Sequence, residues 1–64
     1  MYHVTVRNNG KIIADTFVDR LSDAVLFGRD SSQKGNRINI FEATQDATGQ
    51  TLDLHKVLSL VVTE

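Results

Sequence analysis

The sequence predicts an α+β domain in which one helix packs on one face of a mixed sheet of four to five strands. Three observations lead there. Residues 2–7, "YHVTVR", alternate apolar and polar with the period of a half-buried strand. Asn9-Gly10 stands directly before the β-branched run "KIIADTFV" at 11–18, the strongest short signal for a hairpin. A single amphipathic helical stretch, "RLSDAVLFGRDSSQKGN", then separates this hairpin from further strand-like runs.

The first hairpin has two candidate registers. A two-residue Asn9-Gly10 turn sets Val6 opposite Ile13, Val4 opposite Asp15 and Tyr2 opposite Phe17. Asp15 then falls among Val4, Val6 and Ile13, and burying an unpaired carboxylate there is costly. A three-residue loop, Asn8-Asn9-Gly10, with Gly10 left-handed, slips the pairing by one. Val6 then meets Ile12, Val4 meets Ala14 and His3 meets Asp15. The inner face becomes Tyr2, Val4, Val6, Ile12, Ala14 and Val18, free of charge. A one-residue slip exchanges the faces of a whole strand. The second register is therefore preferred, and it points Ile13 and Phe17 away from the core.

In the helix, Ser22 reads as the N-cap and Asp23 as a first-turn acid favoured by the helix dipole. Leu21 and Leu26 match a hydrophobic staple, and Lys34-Gly35 a C-terminal stop. Ala24, Phe27, Gly28 and Ser31 fall on one narrow stripe of small residues around a ring, suited to lying close on a sheet. Gly28 in the helix interior costs about 1 kcal/mol relative to Ala, and close packing is the plain reason for it. A third strand is expected at 37–44, "RINIFEAT", with Ile38 and Ile40 on one face and Asn39 and Phe41 on the other. "QDATGQ" is a turn. Residues 51–56 read either as a short extra strand or as a helical turn. "VLSLVVT" at 57–63 is the most apolar run, a buried strand with Leu58, Leu60 and Val62 facing the core.

The expected order is thus ββαββ. The first and last strands are the most continuously apolar, which suggests that they lie side by side in the centre, running parallel. That arrangement resembles the β-grasp architecture of ubiquitin-like and protein-G-like domains. The resemblance is one of element order alone, and such a fold hosts many functions. A small SH3-like barrel is the competing architecture.

The chain has 64 residues and is read as one domain, 1–64. At that size only about 60% of the unfolded surface is buried, so stability is modest. Without cysteine there is neither a disulfide nor a thiolate zinc site. A net charge of −1 without acidic or basic runs favours neither DNA nor a membrane surface. No signal-peptide core and no apolar run of roughly 18 residues is present. A complete cytoplasmic product is the expectation.

No catalytic constellation stands out. His3 opposite Asp15 has the look of an oriented general base, yet no Ser or Cys nucleophile is placed to complete a site. A cross-strand polar pair is the simpler reading. His3, His55 and an Asp are imaginable as metal ligands, but two histidines with no third recurring ligand are a weak signal. "GRDSSQKG" lacks the spacing of a phosphate-binding loop and lies at the end of a helix instead of opening one. Neither an enzyme nor a cofactor is expected.

A partner surface is expected instead on the outer sheet face. Ile13, Phe17, Phe41 and Val61 would be its apolar anchors, and Arg7 and Arg37 its polar rim. The predicted function is a non-catalytic protein-binding module, such as a small adaptor, inhibitor or regulatory protein, able also to pair with itself as a homodimer. The alternative is single-stranded nucleic acid stacked on Phe17, Phe41 and His3 and flanked by Arg7, Lys11 and Arg37.

Overall fold

A computed structural model describes residues 1–31 and 33–63; Ser32, in the expected polar end of the helix, and Glu64 lie outside the described residues. The elements are β1 (Tyr2–Asn8), β2 (Lys11–Val18), α1 (Leu21–Ser31), β3 (Arg37–Gln45) and β4 (Thr51–Val61). The strands form one open sheet in the order β2-β1-β3-β4, and every neighbouring pair is antiparallel. The α+β class is therefore present, with one helix on a four-stranded sheet. No helix among the described residues is long and apolar enough to cross a membrane.

The sheet corrects two expectations: it is antiparallel, not mixed, and β4 is an edge strand, not the central partner of β1. It is open, which sets aside the competing barrel. The reason lies in side-chain matching and loop length. The turn at 46–50 makes β3 and β4 hairpin neighbours, and β1 finds its best partner in β3, where Val4 meets Ile40 and Val6 meets Ile38. These four are the largest fully buried side chains. Each contributes roughly 1.5–3 kcal/mol through burial.

The first hairpin adopts neither candidate register along its whole length. The turn has two residues, Asn8 opposite Lys11, with Asn9 at φ 53° and Gly10 at φ 81°. Positive φ at both central positions is the turn geometry whose twist suits a hairpin. The pairing then shifts: Arg7 meets Ile12, but Val6 meets Ala14, so Ile13 is the extra residue of a β-bulge. From there Val4 meets Thr16, His3 meets Phe17 and Tyr2 meets Val18. The bulge reconciles the tight turn with a charge-free core, because it moves Asp15 to the outer face opposite Thr5. It also corrects two placements. Ile12 lies outside, opposite Arg7, and His3 faces Phe17 instead of Asp15.

The helix and its cap stand two residues earlier than expected. The Ala24 N–H donates to the Arg20 carbonyl at 3.1 Å, so Arg20 holds the capping position and Ser22 lies in the first turn with Asp23. Ala24 and Gly28 are its buried residues, with Phe27 partly buried beside them. A Cβ on Gly28 would stand 2.7 Å from Ile38 Cγ2, so the missing side chain lets the helix lie directly on β3. Gly35 does not stop the helix. Its N–H donates to the Val62 carbonyl at 2.8 Å, and the Val62 N–H donates to Asn36 at 2.9 Å, stitching the α1–β3 loop to the end of β4.

Residues 51–56 are strand, continuous with the last apolar run. β4 carries two irregularities, at Val57 and at Leu54, where its pairing with β3 slips. Leu58, Leu60 and Val62 pack against the core as expected. A groove of about 310 Å³ runs between Val25 and Arg29 of α1 and residues 60–63.

Candidate functional site

Residues directly opposite across an antiparallel pair share a face. The helix-free face of the sheet can therefore be read as rows crossing all four strands. The first row is Phe17, His3, Phe41 and Lys56; the second is Asp15, Thr5, Asn39 and Ser59; the third is Ile12, Arg7, Arg37 and Val61. Successive rows are about 7 Å apart, two residues along a strand.

The first row is an ordered aromatic strip. His3 stacks on Phe17 with ring centroids 4.4 Å apart, and Phe41 lies 6.1 Å from His3 on the other side, tilted. Lys56 Nζ sits 5.9 Å from the centre of the Phe41 ring, within range of a cation–π attraction. Asp53, opposite Ala43 beyond this row, lies 3.1 and 3.2 Å from His3 Nδ1 through its two carboxylate oxygens. A carboxylate only accepts, so Nδ1 carries the donating proton. The ring of His3 is thus fixed both by its stacking and by its hydrogen bond.

The centre of the second row, Thr5 and Asn39, is buried although no helix covers it, while Asp15 and Ser59 at its ends are exposed. Thr5 is 3% exposed and Asn39 6%. Thr5 Oγ1 and Asn39 Oδ1 have no hydrogen-bond partner among the described residues.

The third row sets Arg7 and Arg37 opposite each other on neighbouring strands, with one guanidinium bonded toward the β1–β2 turn and the other toward β4. Arg7 Nη1 donates to the Gly10 carbonyl at 2.8 Å, and Arg37 Nη1 donates to Ser59 Oγ at 2.9 Å. Arg7, Asn9, Gly10, Gly35, Arg37 and Val61 line a cleft of about 300 Å³.

Five of the six residues singled out from sequence lie on this side of the sheet, in two groups, and the sixth is the unpaired residue of the bulge. Phe17 and Phe41 belong to the aromatic row, Arg7, Arg37 and Val61 to the cationic row, and Ile13 stands at the bulge on the β2 edge. Phe17 is 45% exposed and Ile13 51%. The sequence reading grouped His3 with Phe17 and Phe41 only in its nucleic-acid alternative; it did not foresee His3 as the central ring, Asp53 beside His3, Lys56 beside Phe41, or the buried Thr5–Asn39 pair. The only signal for them is the strand order: Phe17, His3 and Phe41 align once β1 lies between β2 and β3.

His55 does not join His3. It pairs with Glu42 on the helix side, Nδ1 to Oε1 3.4 Å. No group of three metal-ligating side chains forms among the described residues. What the outer face offers chemically is a stacking and apolar surface, a pair of adjacent cations, and the acids Asp15 and Asp53 beside them. No protein-family model, curated protein or solved structure matches this chain.

Proposed function

We propose that the chain is a non-catalytic interaction module that binds another protein through the helix-free face of its sheet. The observation that carries this reading is the Phe17–His3–Phe41 row. It is an aromatic surface already held in place by stacking and by Asp53. Anchors ordered before binding lose little conformational freedom on docking, and so they serve affinity. Exposed Ile12, Ile13 and Val61 extend the apolar area toward the turn. Arg7 and Arg37 supply the polar rim of a specific interface. A second copy of the chain, packed sheet on sheet, is one such partner.

Single-stranded nucleic acid is the second reading, favoured by the same rings and by Arg7, Arg37 and Lys56 beside them. A net charge of −1, with Asp15 and Asp53 on the face itself, speaks against a polyanion. The two readings separate on salt, because phosphate binding weakens steeply between low and moderate ionic strength. The test is affinity capture from a nuclease-treated extract of the expressing cells, with wild type and Phe41→Glu side by side. A protein retained by wild type at moderate salt, and lost with Phe41→Glu, supports the module. Loss of all binding after nuclease treatment overturns it in favour of nucleic acid.

A further inference from the structure

We infer that the cleft between Arg7 and Arg37 receives a carboxylate from an acidic, apolar-flanked segment of the partner. The inference rests on the reading of this face as a protein-binding surface, and it names the chemistry that the surface recognises.

Arg7 and Arg37 are directly opposite each other on neighbouring strands. Like charges in that position are destabilising. Neither meets a carboxylate among the described residues, where the ion pairs are those of His3 and His55. The nearest acid on the face, Asp15, lies one row away opposite Thr5. Each guanidinium is instead steadied by a single bond to a neutral oxygen, the Gly10 carbonyl or Ser59 Oγ. A guanidinium has five N–H donors in a fixed fork, so most of them stay available to an incoming anion. An oxyanion in the cleft that both arginines line offsets their like charge and accepts from the N–H groups left free on them.

The surroundings favour a carboxylate on a peptide. Ile12 and Val61 close the two ends of the same row, and both are exposed. An acidic side chain with apolar neighbours in its own chain matches that sequence of apolar, cationic and apolar groups. A phosphodiester chain brings a charge at every step and would run past Asp15 toward Asp53. The aromatic row lies about 13 Å from the arginines along the strands, within reach of an extended segment of four or five residues.

The test is a titration of the intact protein followed by amide NMR at constant ionic strength. The probe is a capped tetrapeptide of alternating leucine and aspartate, compared with the same peptide carrying asparagine and with a thymidine decanucleotide. Saturable shifts at Arg7, Gly10, Gly35 and Arg37 with the acidic peptide, absent with the asparagine peptide, are expected. Arg7→Gln and Arg37→Gln each weaken that binding on the order of tenfold while keeping the rest of the spectrum. Equal shifts with the asparagine peptide, unchanged affinity in both variants, or preference for the decanucleotide would overturn the inference. Its failure is distinguishable from failure of the parent reading. If the acidic peptide does not bind while partner capture remains sensitive to Phe41→Glu, the cleft inference alone falls.

Discussion

Thr5 and Asn39 carry polar oxygens into a buried strip where they have no hydrogen-bond partner among the described residues. A buried polar atom without a hydrogen bond costs about 1–3 kcal/mol. Thr5→Val keeps the β-branched shape and removes the hydroxyl, so it is expected to stabilise the fold by about 1 kcal/mol, measured by urea unfolding. A gain there would mark the hydroxyl as kept for something other than folding, at the centre of the face read as the binding surface. A second residue-scale expectation concerns Asp46 in the β3–β4 turn. Its Oδ1 accepts from the Thr48 hydroxyl at 2.6 Å and from the N–H groups of Thr48 and Gln50 at 2.9 and 3.0 Å. The Thr48 hydroxyl foremost holds the carboxyl below its ordinary range, against the opposing effect of desolvation and with lesser help from the backbone N–H groups of Gln50, Thr48 and Gly49. A carboxyl lowered in the folded state contributes stability that is present above its unfolded pKa and is lost as pH falls through the folded one. Thr48→Val is expected to move the Asp46 titration upward, read by carboxyl-carbon NMR.

At the scale of elements, the helix depends on Gly28. Ala is the better helix former by about 1 kcal/mol. Yet a Cβ at this position would reach 2.7 Å from Ile38 Cγ2 and 3.1 Å from its Cδ1, and a β-branched side chain on a central strand has little room to turn aside. Overpacking of this kind costs about 1–3 kcal/mol. Gly28→Ala is therefore expected to lower stability by about 1 kcal/mol net, seen as a reduced urea midpoint with an unchanged slope. Close packing at Gly28 was legible in the sequence because a small-residue stripe at helical spacing has that use. β1, β2, β3 and the later part of β4 were legible too, from apolar patterning and the Asn-Gly turn, whereas residues 51–56 fit both a strand and a helical turn. The register was not. Asp15 and Ile13 gave the right physical conflict, a carboxylate that cannot be buried, but a β-bulge resolves it without lengthening the turn, and a bulge leaves no mark in alternation counted one strand at a time. Strand order was likewise hidden. Apolar content suggested a central β4, whereas pairing follows the match of Val4 and Val6 with Ile40 and Ile38. The outward direction of Phe17 survives both corrections, because the bulge restores the parity that the loop register assumed.

For the whole molecule, the helix side holds the core and the opposite side holds the aromatic and cationic rows. The sheet has two edges, β2 and β4. Bulges interrupt both, at Ile13, Leu54 and Val57, and bulged edges resist strand-to-strand association. The face, more than the edge, is the surface suited to a partner. The most direct measurement compares partner recovery by immobilised wild type, Phe17→Glu and Leu26→Glu at moderate salt. Phe17 is on the outer face; Leu26, 57% exposed, is on the helix. Leu26 is exposed, and Phe17 stacks on His3 but is not part of the core cluster, so a glutamate at either is expected to leave the fold intact. The expected result is loss of the partner with Phe17→Glu and full recovery with Leu26→Glu. Recovery undiminished by Phe17→Glu, or abolished by Leu26→Glu alone, would contradict the assignment of binding to the helix-free face.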